Sequence, residues 1–507
     1  MKRNNLTTAV IAGIAGVAGI ANMAGAVNLN PDGLGQVLIY PYFTVNANNQ
    51  TLLSVVNTQN AGKAVKVRFL EGYDSREVLD FNLYLSPYDV WTATVFDTSG
   101  VNGRLTNGSA EAAVLTPDES CTDPAIKHGA VGNPGIEQLP DGRNFAAFVN
   151  SAYSGSNDDG GPQALSRTRT GHIELIEMAT VVGATLTNIK HVNGVPPGCK
   201  SVIGATGGAD YLTPTGGLFG TGSIVNPLAG TLYGYNADAV DGFYTNTGNL
   251  FNAAGTIAPD LTNGDNTGGV ETSYVFNNGK LITSSWLLSG GGSIDAVSSV
   301  FTADHIYNEY ELNPASGSVA SEWVVTFPTK RYYVDPTLFL LPVQPFTVLF
   351  GADSTNPGTA CEKVGLNEYD REERTPQRVT GFSPPRPGAN SPVLCWEAQV
   401  ITFQSSAAAS ASTASPIFGS PLFTNVDTLH DLGASGTSGW VNITLAGAGH
   451  LLTASREGNV FSGLPVTGFL AKDFTNKNVT PGILGNYAGL YRHRTSRTCT
   501  NTNGVCS

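Results

Sequence analysis

The chain has 507 residues, of which only 13% are charged while Gly alone takes 60 positions, a balance that favours β-strands with long turns over helices. Its formal charge of −13 repels a phosphate backbone and argues against a nucleic-acid partner. At this length one pair of sheets is too small to be the whole molecule, and two or three packed β-units are expected.

Lys2 and Arg3 precede an apolar stretch over 8–21, and Ala24-Gly25-Ala26 supplies a small-residue cleavage site. These are the three parts of a secretory signal peptide, with cleavage expected after Ala26. At about 14 residues the stretch falls short of the roughly 20 needed to span a bilayer, and no later stretch approaches that length, so no transmembrane anchor is expected. Loss of the two leader cations takes the formal charge from −13 to −15, which suits an exported chain whose carboxylates are bridged by divalent cations such as calcium. Asn28-Leu29-Asn30-Pro31-Asp32-Gly33 has half of a calcium-loop pattern, but Ile39 stands at the twelfth position, where a bidentate Glu is required. An Asx/Gly turn is the expectation there.

Five short apolar runs follow at 36–45, 51–58, 64–71, 78–85 and 90–96, separated by turn residues such as Asn46-Ala47-Asn48-Asn49 and Ser86-Pro87. That spacing is the rhythm of a sheet meander. Val65-Lys66-Val67-Arg68-Phe69 alternates strictly, and Phe81, Leu83 and Leu85 hold the odd positions of the next run, so each strand is expected to bury one face and wet the other. Tyr40-Pro41-Tyr42-Phe43 reads as aromatic residues entering a β-core and not as a platform for sugar rings. Trp91 and Trp323 have apolar neighbours of the same parity, Ala93 and Val95 for the first, Val325 and Phe327 for the second; both are expected in the core.

Beyond these runs, 98–138 reads as loop, 144–151 as a strand, 154–162 as an exposed loop and 172–182 as a strand in preference to a short helix. The middle third is Gly-rich, and Gly216-Gly217-Leu218-Phe219-Gly220-Thr221-Gly222 matches neither phosphate-binding signature; close backbone packing in a turn is expected. Residues 236–243 and 308–312 read as short helical or irregular connections. Strands return at 323–327, 395–400 and 439–445, the last with Val441, Ile443 and Leu445 inward. They are interrupted by a charged, Pro-containing insertion at 368–387 and an Ala/Ser tract at 405–415 that reads as a flexible connection. The fold class is therefore all-β, as antiparallel sandwiches with long Gly/Asn/Ser-rich loops and few short helices. The expected divisions are a leader at 1–26, an N-terminal sandwich at 27–200, a Gly-rich middle region at 201–320 and a β-rich region at 321–507.

Six cysteines in an exported chain read as a disulfide set, and the close pairs of a zinc site are absent. Of the fifteen connectivities, Cys121 with Cys199, Cys361 with Cys395 and Cys499 with Cys506 keeps each bridge within one segment.

The blocks Gly35-Gln36-Val37-Leu38-Ile39-Tyr40-Pro41-Tyr42, 78–91, Trp323-Val324-Val325-Thr326-Phe327-Pro328-Thr329-Lys330-Arg331 and Gly463-Leu464-Pro465-Val466-Thr467-Gly468-Phe469 resemble a group of uncharacterised exported proteins of Gram-negative bacteria. The resemblance implies export and a shared fold, and brings no activity, cofactor or catalytic residue with it. The alternation over 51–95, with Leu85-Ser86-Pro87 before a Trp strand, is similar to immunoglobulin-like sandwich modules of surface proteins.

No G-x-S-x-G, H-E-x-x-H, Walker lysine or C-x-x-C occurs, and His128, His172, His191, His305, His430, His450 and His493 have no ligand-spaced partner. No catalytic, cofactor-binding or metal residue is assigned. Glu368-Tyr369-Asp370-Arg371-Glu372-Glu373-Arg374 is the densest ionic cluster, and its paired carboxylates are of the kind glycoside cleavage requires, although an exposed, self-paired loop is the simpler reading. The expected function is that of a non-enzymatic exported protein, structural or adhesive, outside the cell, at its surface or in the periplasm, with surface or matrix components or itself as partner. The alternatives are a secreted polysaccharide hydrolase and a glycan-binding protein without turnover. A hydrolase needs two close carboxylates in a groove, a binding module needs exposed aromatic rings, and a structural protein needs neither.

Overall fold

The computed structural model describes residues 25–99, 110–129, 135–265, 269–287, 292–313, 318–375, 392–404 and 412–506. The charged and apolar parts of the leader, residues 376–387 of the insertion and 405–411 of the Ala/Ser tract lie outside the described residues.

All five early runs are strands: β1 Val37–Thr44, β2 Gln50–Asn57, β3 Gly62–Glu71, β4 Glu77–Leu85 and β5 Val90–Asp97. They do not form one meander. β1, β3 and β4 lie in one sheet and β2 and β5 in another, so the chain crosses between layers after β1, β2 and β4. After β1 the reversal runs through Ala47 and Asn48, both at positive φ. Crossing lets the apolar parity of both sheets face one shared core, the sandwich solution to one-sided burial.

The run at 172–182 is strand β6, Thr170–Val181, seated between β1 and β3. β7 Leu218–Asn226 and β8 Thr231–Asn236 extend the second sheet beside β2, and β9 Asp238–Asp241 pairs with β1. Thus 236–243 holds a strand where an irregular connection is expected, and residues after 200 complete both N-terminal sheets, so the expected domain boundary does not separate them. Short strands at Ala112–Leu115, Cys121–Asp123 and Ile136–Gln138 likewise replace part of the loop expected over 98–138; none is long enough to show a period. The glycine-rich run is a turn and then a strand. Gly216 and Gly217 take positive φ, and Gly220 lies in β7 where a Cβ would collide with the Tyr40 hydroxyl.

The C-terminal half begins with the buried helix α1, Gly292–Phe301, followed by β10 His305–Glu311, β11 Val319–Thr326 and the short helix α2 Arg331–Val334. β12 Gly365–Asp370, β13 Ala398–Phe403, β14 Phe423–Val426, β15 Ser438–Thr444, β16 Thr467–Thr480, β17 Ile483–Arg492 and β18 Arg494–Ser496 follow. β10 replaces the irregular connection expected at 308–312. A five-stranded sheet runs β14-β13-β11-β16-β17, with β13 and β14 parallel, and a four-stranded sheet runs β12-β15-β10-β18. β17 and β18 are separated only by His493, so one run of chain passes from the first sheet to the second.

Two large apolar cores share strands. Leu38, Tyr40 and Tyr42 of β1 face the core between the N-terminal sheets, together with Trp91 and, from the C-terminal half, Val324, Val400 and Phe469. Val37 and Ile39 face a second core with α1, Trp323, Val325, Ile401 and Leu470. β1, β11 and β13 are therefore covered on both sides, which is why Val37-Leu38-Ile39 and Trp323-Val324-Val325 read as unbroken apolar runs. Trp91 and Trp323 are buried. Disulfides join Cys121 to Cys199, Cys361 to Cys395 and Cys499 to Cys506.

The charged face of β3 is not wet. Val65, Val67 and Phe69 enter the sandwich core, while Lys66 and Arg68 on the opposite parity are as buried as they are. Arg68 donates to Glu174 of β6 at 2.6 Å and to Glu77 of β4 at 2.8 Å, and Lys63 donates to Glu177 at 2.7 Å. Lys66 pairs with Asp80 and also donates to the Thr256 carbonyl at 2.6 Å, and Asn82 donates to the Asn252 carbonyl at 2.9 Å; the segment that covers this face thus supplies acceptors. Arg167 forms the tightest knot. It forks onto Glu71 at 2.7 and 2.9 Å, reaches both oxygens of Asp159 at 2.9 and 2.5 Å, and stacks on Tyr153 with its guanidinium 4.2 Å from the ring centroid. Asp159 is accordingly interior, although 154–162 reads as an exposed loop. Arg167→Ala would strand two buried carboxylates, and we expect a loss of about 3–5 kcal/mol in denaturant unfolding, with an unchanged circular dichroism spectrum before the transition.

Candidate ligand-binding surface

The acidic cluster at 368–374 does not form a cleft. Strand β12 alternates, so Glu368 and Asp370 turn inward and are buried. Burial, with Asp431 and Asp427 close by, pushes the Glu368 carboxyl up to about 7. Arg374 pairs with Asp370 at 3.0 Å and Glu372 at 3.4 Å, so the cluster is partly self-paired and partly interior. The histidines are dispersed: His128 beside Glu119, His172 beside Glu174, His191 on Ser86, His305 on Asp304, and His450 between Glu362 and the Leu445 carbonyl. The His430 side chain lies outside the described residues. Among the described residues no group of three or more His, Cys, Asp or Glu could hold a metal ion. At 28–33 the Asn30 side chain accepts from the Asp32 N–H at 3.0 Å and donates to the Leu34 carbonyl at 2.6 Å, the Asx/Gly turn that the sequence suggests.

A groove of about 500 Å³ lies where β8 meets β16 and β17, lined by Asn236, Asp238, Thr467, Phe469 and Arg492 among others. Asp238 is the one carboxylate in its lining and is held by Arg492 and the Thr467 hydroxyl. A smaller cavity of about 320 Å³ beside Tyr244, Phe251 and Ser293 has no carboxylate in its lining. Neither brings together the two acids that sugar hydrolysis requires.

Three exposed aromatic residues, Trp440, Tyr487 and Tyr491, lie on the C-terminal sheets, while Tyr88 and Phe276 are exposed elsewhere. Tyr369 of β12, Trp440 of β15 and Glu309 of β10 stand on one rung and so project on the same side. The Tyr369 and Trp440 rings stack with centroids 4.4 Å apart and planes 10° from parallel, and Trp440 keeps 40% of its surface exposed. Glu309 then pairs with Lys472 of β16 at 2.8 Å, and the Lys472 ammonium lies 5.9 Å from the Tyr491 ring centroid on β17. Tyr491 and Tyr487 share one parity of that edge strand and are 56% and 64% exposed. Gly489 lies between them, where a Cβ would come within 3.1 Å of the Tyr491 ring; its absence lets the ring lean along the strand. The next rung of the four-stranded sheet adds Asn367, Asn442, Tyr307 and Arg494. The surface thus offers apolar ring faces beside amides, a carboxylate and cations, the pairing of stacking and planar hydrogen-bonding groups that suits a polyhydroxylated ring.

Part of this surface is legible in the sequence. Directing Val441, Ile443 and Leu445 inward turns Trp440 and Asn442 outward. Tyr369 is hidden inside an ionic cluster that reads as loop. In Tyr487-Ala488-Gly489-Leu490-Tyr491 the two tyrosines hold one parity of the strand, with Gly489 between them.

His493 fixes the hand-over between the sheets. Its Nε2–H donates to the Val324 carbonyl at 2.9 Å and its Nδ1 accepts from Asn308 Nδ2 at 3.1 Å, while Asn308 also donates to the Tyr491 carbonyl at 3.1 Å. Both ring nitrogens are used by the neutral tautomer. Burial, with Arg492 adjacent, pushes the imidazole down to about 4.

No protein family, curated protein or solved structure matches the chain.

Because the folded His493 binds its proton less readily than the unfolded one, its contribution to stability is present above pH 6.5 and is lost as pH falls towards 4. Buried carboxyls raised by desolvation, such as Glu322 to about 7, act with the opposite sign, their stabilisation fading as pH rises through 7. The His493 share is isolated by comparison with His493→Gln, whose amide preserves one donor and one acceptor. The stability difference between wild type and variant should shift by about 3 kcal/mol against the wild type between pH 7 and pH 4, read by urea unfolding at each pH.

Proposed function

We propose that this is an exported, non-enzymatic protein of the cell surface or its surroundings that adheres through a neutral polysaccharide held on the Tyr369, Trp440, Tyr491 and Tyr487 surface. The observation that carries this reading is the stacked pair of half-buried Tyr369 and exposed Trp440 on the four-stranded sheet, which the Glu309–Lys472 pair links to the exposed Tyr491 and Tyr487 on the edge strand of the five-stranded sheet. Ring stacking supplies affinity that depends little on sequence or charge, and the flanking amides and carboxylate select hydroxyl orientation. The interior position of Glu368 and Asp370 removes the best hydrolase pair from reach of a polymer, which favours retention over cleavage. The leader-like N-terminus and the three disulfides fit an oxidising location beyond the inner membrane.

The test is binding of the exported form to a panel of soluble neutral polysaccharides by affinity electrophoresis and calorimetry. Trp440→Ala and Tyr491→Ala should each weaken binding about tenfold, the equivalent of one lost ring contact of about 1.4 kcal/mol, while the melting temperature stays within 2 °C or so of wild type because both side chains face solvent. Retained affinity in both variants would refute the site. Release of reducing ends from a bound polysaccharide would replace the adhesive reading with the hydrolase.

A further inference from the structure

A second exposed apolar feature lies away from the ring surface and has different chemistry. Residues 336–352 contain no charged side chain. The second half of that segment returns to the interior through Phe346 and Phe350, but the turn after α2 directs Leu338, Leu340 and Leu341 outward, 53%, 94% and 75% exposed. Scattered single leucines on a surface are ordinary; three within four residues on an uncharged turn are not.

The turn is held firmly at its base. The Asp335 carboxylate accepts from Arg76 at 2.6 Å, Arg331 at 3.1 Å, the Thr337 N–H at 2.8 Å and the Thr337 hydroxyl at 2.7 Å. The Asp335 carbonyl accepts from the N–H groups of Leu338 and Phe339, each at 3.0 Å, and the Val343 N–H donates to the Tyr333 carbonyl at 2.9 Å. These bonds fix the base of the turn and so hold the Leu340 and Leu341 side chains out from the surface.

We propose that the Leu338, Leu340 and Leu341 tip inserts into the acyl layer of a lipid surface. A second copy of the chain is the poorer occupant, because three side chains at a convex tip fall far below the roughly 800 Å² per partner of a stable protein interface. A bilayer demands no complementary shape. The segment carries no Lys or Arg and the chain is acidic overall, so insertion rests on apolar burial and not on attraction to anionic headgroups.

The exported form is floated with phosphatidylcholine vesicles, and separately with vesicles containing phosphatidylglycerol. Wild type should rise with the phosphatidylcholine fraction and gain nothing from the anionic lipid. A Leu340→Asp, Leu341→Asp double variant should partition at least about tenfold less, and Leu340→Gln, which adds no charge, should act in the same direction, with melting temperatures unchanged. The proposal is overturned if wild type stays in the aqueous fraction, if the variants float equally, or if binding requires phosphatidylglycerol. It is equally overturned if sedimentation shows a wild-type dimer that the double variant dissociates, which would make the tip a protein contact. Polysaccharide binding by the double variant should be intact, so this result and that of the ring surface are read independently.

Discussion

Covering a β-sheet on both faces leaves nowhere for its polar parity to go, and this constraint shapes most of the interior. β3 and β6 are buried along their whole length, so the alternate residues that would meet water in a one-sided sheet must be neutralised inside. Arg68 lies opposite Glu174 across one strand pair and opposite Asp80 across the other. Such pairs add little stability over apolar residues of the same size, whereas loss of one partner is expensive. Their value here is register. A slip of one residue would drive Lys66 and Arg68 into the layer of Val67 and Phe69 and place valines among carboxylates.

The same constraint accounts for the carboxyls whose proton affinity burial raises. Around α2 and the turn after β3, acids outnumber cations: Asp74, Glu397, Glu71, Asp159 and Asp335 meet Arg76, Arg167, Arg331 and Lys330. Burial pushes Glu397 and Asp74 well above the usual carboxylate range, each raised further by a neighbouring acid. Glu71, buried as well, is drawn below that range by Arg167 and by N–H donors from the turn. An identical side chain in the same dry environment is thus raised or lowered by how far paired guanidinium and N–H donors offset its burial and its acid neighbours.

How much of this was legible follows from the length of each pattern. Five strands at the N-terminus were readable within a residue or two, because Val65 to Phe69 and Val90 to Phe96 alternate long enough to show their period. Which sheet each strand joins was not, since the crossing after β1 depends on positive φ at Ala47 and Asn48, residues without the glycine signal of such a turn. β10 lacks a legible pattern for another reason: in His305-Ile306-Tyr307-Asn308-Glu309-Tyr310-Glu311 only Ile306 and Tyr310 are core residues, and Asn308 fills the inward position between them by bonding to β17 and His493. The charged face of β3 was legible as charged and misplaced as wet, because no local pattern reveals a covering segment that comes from residues 252–256, far along the chain.

What the molecule leaves outside is as selective as what it buries. Several arginines and lysines occupy its interior, while a few tyrosines, a tryptophan and a group of leucines stand in solvent. The two exposed sets are built differently. Trp440 and Tyr491 have Glu309 and Lys472 between them, so any partner stacked on those rings also meets charge and hydrogen-bonding groups and must itself be polar at its rim. Leu340 and Leu341 lie in a run of seventeen residues with no charge at all, raised on a turn anchored at Asp335 by its bonds to Thr337, Leu338 and Phe339. A polyhydroxylated surface would satisfy the first set and gain nothing from the second; an acyl layer would accept the second and strip water from the first without compensation. The two sets therefore differ in chemistry: one is rimmed by charge and amides, the other is apolar and uncharged.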